Sequence, residues 1–431
     1  MFTCHCRRCN SSPRCAFHRC TSDTEILMPL LQSPMAIFAL CAGLCALVFW
    51  VSKQAWAQRF FSIVPAIIFI YYLPTLAATF GVIPTVSPVY DWMRDYLLPF
   101  SLFILMVTAD IPAIMKIGPK ALAMMVFGTL GVIVGGPVTF LLFSNWLPPE
   151  AWKGFAALSG SWIGGSGNFA AMKEAVSAPD SIIGPMIIVD TAVGYTWMGV
   201  LLFLANYQKR VDRRLGADAQ VLDDLNRRMK DYQESRVKPM ALSDAFLILS
   251  IGFVGAVVCQ SLAQWVYELT HVALRENLPL LDSIFTSFTW LIIFISTFGI
   301  LLSFTPLRNL EAAGASKLGY VALYLFLTSI GAKADLAGLL TAPVLLLAGV
   351  VWILFHIGFL FLGARLIKAP MFLVAIGSQA NIGGAASAPI VAAAYYEAMA
   401  PVGVLMGVLG YLLGNYGGLL CALLLRLAAG N

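Results

Sequence analysis

Charged residues are scarce in this chain. They make up 11% of its 431 residues, whereas hydrophobic residues make up 60%, and an ordinary soluble domain contains about 25% charged residues. A water-soluble globule with so few charges could not cover its surface, and a disordered chain is much less apolar. The composition therefore predicts a polytopic membrane protein, whose surface is mostly covered by lipid.

Sequence motifs of enzymes are also missing. No H-E-x-x-H pattern, P-loop or Ser–His–Asp set stands in a suitable context. Gly165, Gly167 and Ala170 match a loose dinucleotide fingerprint, but that motif requires a preceding strand and a βαβ unit. We therefore expect a protein that is not an enzyme, with no metal and no cofactor other than Na⁺ as a candidate coupling ion. The net charge of +5 lies mainly in short loops, so no nucleic-acid partner is expected.

The first 34 residues differ from the rest. Five of the nine cysteines fall within the first twenty positions, but their spacing does not match the paired C-x₂-C pattern of zinc sites. The remaining cysteines lie in apolar segments, where cysteine behaves as a small hydrophobic residue. We expect residues 1–34 to be a disordered leader or a non-native extension, with Met28 or Met35 as alternative starts.

Long apolar runs follow, each close to the length of about 20 residues that a transmembrane helix needs. There are twelve, near 35–52, 60–80, 96–115, 119–143, 151–176, 181–206, 242–266, 284–304, 316–332, 337–364, 369–396 and 400–427. A stretch with nine basic residues separates the first six from the last six, and the positive-inside rule places it in the cytoplasm. The predicted organisation is a leader, a membrane repeat, a cytoplasmic linker and a second membrane repeat, at 1–34, 35–206, 207–240 and 241–431.

The two halves resemble each other. Three pairs of similar segments occur in the same order, about 220 residues apart: 102–115 with 325–340, 160–176 with 377–395, and 193–204 with 409–420. Two structural repeats are a recurring plan of secondary transporters. We therefore predict an all-α fold with two structural repeats of six hydrophobic segments, each containing a glycine-rich discontinuous or re-entrant helix.

The orientation of the repeats depends on the segments 151–176 and 369–396. Each has a glycine-rich middle, and its limbs of about 12 residues would reach about 18 Å, roughly half of the bilayer core. If both are re-entrant hairpins, ten crossings remain and the repeats are inverted, with both chain ends outside. Twelve full crossings, with parallel repeats, are the alternative. Charge counts favour the inverted arrangement slightly.

These two breaks are the candidate binding site. Irregular backbone at membrane depth is tolerated only inside protein or beside water, and helix ends that meet there present N–H groups or carbonyl groups to a solute or ion. Tight helix packing through small residues is the alternative, and it suits Gly410, Gly414 and Gly418 better. The candidate substrate- or ion-binding residues are Ser161, Gly164, Gly165, Ser166, Asn168, Ser378, Gln379, Asn381, Gly383, Gly384 and Ser387.

Acidic residues within the apolar runs are the candidates for ion coupling, because an ionisable group in the bilayer is costly. Asp190 lies deepest in its segment, whereas Asp110 and Asp335 occupy matched positions near the ends of theirs. Capping of a helix end, or pairing with Lys116 or Lys333, is an equally good explanation for that matched pair.

Together, the two breaks, the Asp110/Asp335 pair and the basic linker resemble the YjcL-like membrane proteins of bacteria and plastids, catalogued as domain of unknown function 819. The resemblance covers about residues 35–427 and implies a membrane location without a substrate. More remotely, the breaks look like those of glutamate–sodium symporters and 2-hydroxycarboxylate transporters. That resemblance implies inverted five-helix repeats, re-entrant loops, and site residues Gly164, Gly165, Ser166, Asn168, Asn381, Gly383 and Gly384. This chain lacks an arginine in the second break that would bind a substrate carboxylate.

The leading hypothesis is a secondary active transporter that moves a small polar or anionic solute by alternating access, coupled to Na⁺ or H⁺. The expected location is a bacterial inner membrane, with the lipid bilayer and a small molecule as partners and a homodimer as the candidate assembly. A membrane-embedded enzyme or sensor subunit and a channel are the alternatives. The solute, the coupling ion and the choice between symport and antiport stay open.

Overall fold

A computed structural model describes residues 29–61, 66–148, 150–217, 239–282, 284–333, 342–396 and 399–430. These residues form helices and connecting turns, and no strand occurs among them. The predicted all-α class is therefore confirmed. The leader up to residue 28, most of the basic linker (218–238) and Asp335 lie outside the described residues.

Two sets of helices flank the basic linker. The first set is α1 Pro34–Ser52, α2 Ala55–Phe61, α3 Ala66–Thr79, α4 Pro88–Trp92, a π-helical turn Met93–Leu97, α5 Leu98–Val107, α6 Ile111–Ile117, α7 Pro119–Phe143, a 3₁₀ turn Ser144–Trp146, α8 Ala151–Gly164, α9 Ser166–Ala175, α10 Asp180–Ala205 and α11 Gln208–Leu215. The second set is α12 Leu242–Asn277, α13 Pro279–Asp282, α14 Ser287–Ser303, a 3₁₀ helix Pro306–Ala313, α15 Ala315–Lys333, α16 Ala342–Ile367, α17 Met371–Ile382, α18 Gly384–Tyr395 and α19 Ala400–Ala428.

Seven helices among the described residues are long and apolar enough to cross a membrane, or eight if α14 and the 3₁₀ helix after it, bent by 92°, form one span. Several of the twelve predicted runs consist instead of two shorter helices. The run 96–115, for example, is divided because α5 ends at Val107 and Asp110 begins a new helix. Asp110 caps α6 by accepting the Ala113 N–H at 3.0 Å, and Pro112 takes an early helical position that needs no N–H donor.

The centre of the molecule is a close contact between α7 and α16. A Cβ on Gly131 would lie 2.7 Å from His356 Cα, and a Cβ on Gly135 would lie 2.6 Å from Phe355 Cβ. Trp352 fills the neighbouring space and donates from Nε1 to the Val132 carbonyl at 2.9 Å. Small residues on α7 thus allow α16 to approach closely, as is typical of helix packing in a membrane.

A second close contact joins α8 and α9 to α19. A Cβ on Gly414 would lie 2.5 Å from Asn168 Nδ2, and a Cβ on Gly418 would lie 2.8 Å from Met172 Sδ. Gly410 faces the Ala380 carbonyl on α17 in the same way, at 2.7 Å. The glycine stripe of α19 therefore serves packing, which confirms the interpretation made for these glycines from the sequence.

Helices of the first half pack against helices of the second half at two further places. α3 packs against α15, whereas α14 packs against α5. Thr75 on α3 donates to the Gly331 carbonyl on α15 at 2.7 Å, and Gly299 on α14 faces Met106 on α5. One helix of each half, α3 or α14, therefore packs against a helix of the other half.

Ionic and polar contacts hold the ends of the broken helices. Lys173 near the end of α9 is 7% exposed, and its Nζ pairs with Glu174 at 2.9 Å and Asp180 at 3.0 Å. On α11, beyond the apolar run, Asp212 accepts the N–H of Met371 at 2.6 Å and so caps the start of α17. Burial raises the pKa of Asp212 above its ordinary value, against the lowering effect of this hydrogen bond.

Candidate functional site

Both predicted breaks interrupt a helix. Between α8 and α9 stands Gly165, with φ +89° and ψ −172°, a backbone conformation that is essentially restricted to glycine. Between α17 and α18 stands Gly383, followed by Gly384 at φ +59°. The glycines thus end one helix and start the next within one or two residues.

The two breaks touch each other. A Cβ on Gly165 would lie 3.5 Å from Gly384 Cα, and a Cβ on Gly384 would lie 3.1 Å from the Gly164 carbonyl oxygen. These residues are separated by about 220 positions in the chain, so the fold brings together the two segments that the sequence analysis compared. Two backbones can approach this closely because neither carries a side chain at the point of contact.

Beside this contact lies a cavity of about 210 Å³. It is bordered by residues of both breaks and by parts of α1, α3, α10 and α15 that face them. The lining residues are Phe49, Ala66, Ile67, Ile68, Tyr71, Ser161, Gly165, Ser166, Phe169, Ile187, Asp190, Thr191, Gly194, Tyr195, Tyr324, Gln379, Ile382, Gly383 and Ala386. The volume is below the roughly 300–1,000 Å³ of sites for drug-sized ligands, so it suits a small solute.

Asp190 is the acidic residue of this lining. Its carboxylate accepts from Ser161 Oγ at 2.8 Å and from Trp162 Nε1 at 2.9 Å. Trp162 is fully buried and packs against Trp352, with ring centroids 5.0 Å apart. The carboxylate is therefore held in one orientation by the α8 residues next to the break, while part of it faces the cavity.

Gln379 contributes the second fixed polar group. Its Nε2 donates to Ser387 Oγ at 2.7 Å across the second break. Its Oε1 is buried and has no hydrogen-bond partner among the described residues. An unsatisfied buried acceptor costs about 1–3 kcal/mol. A ligand that donates to Oε1 would remove that cost.

Other predicted site residues hold the helices together away from the cavity. Asn168 donates from Nδ2 to the Tyr411 carbonyl at 2.8 Å and to Asn415 Oδ1 at 2.7 Å. Asn381 accepts from Thr129 Oγ1 at 3.1 Å and donates to the Met125 carbonyl at 3.2 Å. Both asparagines are therefore occupied by interhelical hydrogen bonds to α19 or α7.

Ser378 is occupied in a similar way. Its Oγ accepts from Trp197 Nε1 at 2.8 Å and lies 2.8 Å from His356 Nε2. His356 is fully buried, and its Nδ1 lies 2.9 Å from the Gly128 carbonyl. Of the predicted set, then, the structure places Ser161, Gly165, Ser166, Gln379 and Gly383 in the cavity lining. The other members of the set are not part of the lining: Gly164, Asn168, Ser378, Asn381, Gly384 and Ser387.

The three candidate coupling acids differ in their surroundings. Asp190 lines the cavity, Asp110 caps α6, and Asp335 lies outside the described residues. Within the part of the chain that the structure describes, no three His, Cys, Asp or Glu side chains cluster in a way that could hold a metal ion. A coupling ion at this site would have to use single carboxylate, amide, hydroxyl and carbonyl oxygens.

Sequence reasoning did not identify the aromatic part of the lining. Tyr71, Tyr195 and Tyr324 come from three different helices and carry no motif. Trp162 lies in α8, three residues before the break at Gly165, but its role depends on Asp190, which is 28 residues away. The only available signal was that Trp162 and Ser161 are polar donors in a segment that also contains the break.

These features define an all-helical, multi-pass membrane protein with a small, mainly apolar cavity, which contains a few fixed polar groups, beside two broken helices. The chain belongs to the family described as protein of unknown function DUF819, which matches residues 39–428. It is 26% identical over 349 residues to the uncharacterized membrane protein YjcL of Bacillus subtilis (strain 168). The aligned region covers 78% of this chain and 84% of that protein. The family expected from the sequence is therefore confirmed.

Proposed function

We propose that the protein is a secondary active transporter for a small polar solute. The observation that carries this proposal is the contact between the two broken helices, beside a cavity that Asp190 and Gln379 line. Two facing breaks of this kind form the substrate and ion sites of many secondary transporters. Of the two solute classes expected from the sequence, polar and anionic, the cavity favours the polar one, because its described lining contains no basic side chain.

The proposed transport unit consists of α7–α10 and α16–α19, which surround the contact between the breaks. The proposed scaffold consists of α1, α3, α5, α12, α14 and α15. The packing of α3 on α15 and of α14 on α5 supports two structural repeats, because a two-fold relation exchanges these two pairs. Inverted orientation of the repeats is part of the proposal. Alternating access would then expose the cavity first to one side of the membrane and then to the other.

Coupling to Na⁺ or H⁺ is part of the proposal. Asp190 is the group we assign to it, since it is the acid in the described cavity lining. A proton would bind this carboxylate directly, whereas Na⁺ would use it together with neighbouring neutral oxygens. The proposed location is the inner membrane of a bacterium, and the proposed assembly is a homodimer.

Uptake into proteoliposomes tests the transporter proposal. Radiolabelled candidate solutes are offered with a Na⁺ gradient in either direction, with an H⁺ gradient in either direction, or with no gradient. We expect one gradient to drive uptake above equilibrium, and Asp190→Asn to abolish that accumulation. Ion current without solute, or solute movement that no gradient accelerates, would refute active transport and favour a channel.

A further inference from the structure

Charge balance in the cavity indicates which solutes it accepts. The described lining contains one acidic side chain, Asp190, and no Lys, Arg or His. Its two hydrogen bonds, from Ser161 and Trp162, come from neutral donors. Hydrogen bonds orient a carboxylate but do not neutralise it, and a buried charge without a partner is unfavourable. A proton or a bound cation would remove this cost, and the other groups of the lining distinguish between the two.

Aromatic rings form much of the remaining lining. Phe49, Tyr71, Phe169, Tyr195 and Tyr324 border the same space. The face of an aromatic ring attracts a cation that lies within about 6 Å of its centre, and desolvated sites gain most from this interaction. A cavity with mainly aromatic and aliphatic walls would give a bare metal ion few oxygen ligands. It suits an organic cation that also has an apolar part.

Gln379 borders the cavity, and a small turn of its amide would bring the buried Oε1 to a ligand there. Because its Nε2 is already occupied by Ser387, the free group is the acceptor Oε1. An ammonium group has donors and no acceptors, so it can donate to this oxygen. A carboxylate ligand would bring only acceptors and would also stand near Asp190.

We propose that the cavity binds a small primary or secondary organic ammonium ion. Asp190 is its counter-ion, Gln379 Oε1 accepts one of its N–H groups, and the aromatic side chains surround its carbon atoms. This assignment names the substrate class of the transporter and so rests on the proposed function, but binding itself can be measured without transport.

The test uses the full-length purified protein in lipid nanodiscs, in Na⁺-free potassium buffer at constant ionic strength. The thermal unfolding midpoint is followed against ethanolamine, methylammonium, tetramethylammonium, glutamate, malate and NaCl. We expect a saturable rise with ethanolamine and methylammonium, and a weaker saturable rise with tetramethylammonium, which keeps the charge but has no N–H group. Asp190→Asn should weaken this binding at least tenfold. Glu268→Gln, which removes one negative charge from an exposed position on α12, should leave it unchanged.

Gln379→Met gives a second and independent readout. It removes the acceptor, so the affinity for methylammonium should fall at least threefold, whereas the affinity for tetramethylammonium, which has no N–H group, should stay the same. If Asp190→Asn does not fold, this comparison still tests whether an ammonium ion binds in the cavity beside Gln379. Equal losses for both ligands, or no loss for either, would overturn the role of Gln379.

Several outcomes would overturn the substrate class. These are saturable stabilisation by glutamate or malate alone, stabilisation by NaCl that ammonium ions do not compete with, and no stabilisation by any ligand. Gradient-driven uptake of glutamate or malate would keep the transporter and reject the ammonium site. Ammonium binding that depends on Asp190, without uptake under any gradient, would keep the site and reject the transporter.

Discussion

Replacing Gly165 by alanine tests whether the contact between the two breaks depends on a conformation that only glycine adopts easily. At φ +89° and ψ −172°, a residue with a side chain is strained by about 1–3 kcal/mol. The new Cβ would meet its nearest neighbour, Gly384 Cα, at 3.5 Å, which is an ordinary van der Waals distance. Backbone strain is therefore the main effect, and we expect the free energy of unfolding to fall by about 1–3 kcal/mol.

Gly167→Ala is a matched control only two residues away. Gly167 lies within α9, and its Cβ would lie 3.6 Å from the nearest atom, on Leu323. Alanine in a helix is more stable than glycine by about 0.5–1 kcal/mol, so this variant should be slightly stabilised. Gly199→Ala in α10, whose Cβ would meet nothing within 4 Å, should behave in the same way.

The measurement is unfolding of the three variants in one mild detergent, by heat and by titration with a denaturing detergent. We expect Gly165→Ala to be less stable than the wild type, and both control variants to be at least as stable as the wild type. This expectation would be refuted if Gly165→Ala were as stable as Gly167→Ala, because the break would then tolerate a side chain and the positive φ would not be needed.

Three further variants test contacts around the breaks. Asn168→Ala removes two buried interhelical hydrogen bonds to α19 and should cost about 2–3 kcal/mol in unfolding experiments, whereas Asn145→Ala, on an exposed turn, should cost less than about 0.5 kcal/mol. Lys173→Met leaves two carboxylates without their cation and should cost about 3 kcal/mol, a loss that lowering the pH should reduce. Asp212→Asn should keep the hydrogen bond from Met371. Because burial raises the pKa of Asp212, its contribution to stability falls as the pH rises above about 3.9 through the raised pKa, and that slope should disappear in the variant. Equal pH profiles for wild type and Asp212→Asn would contradict this.

The positions of the breaks could be predicted from the sequence because their signal is local. Glycines, serines and amides are unusual in the middle of an apolar run, and the structure interrupts the helix at Gly165 and Gly383. Asp190 could be singled out for the same reason, since an acid within a long apolar run is costly. Each of these inferences needed only the composition of one segment.

The roles of the asparagines could not be predicted in this way. Asn168 is bound to residues 243 and 247 positions away, and Asn381 to residues 252 and 256 positions away. A polar side chain in an apolar segment must find a partner, but its sequence does not show whether that partner is protein or ligand. The same limit applies to the aromatic lining, whose members are ordinary tyrosines and phenylalanines until the fold places them around one cavity.

The length of α12 has a consequence for the membrane surface. Its 36 residues extend over about 54 Å at 1.5 Å per residue, whereas the hydrocarbon layer is about 30 Å thick. The surplus lies at its C-terminal end, where Glu268, His271, Arg275 and Glu276 make the helix polar. On the predicted topology, in which the basic linker precedes the cytoplasmic end of α12, this polar end would lie in water on the opposite face of the membrane. A cysteine introduced there should react with an impermeant thiol reagent from the outside of intact cells.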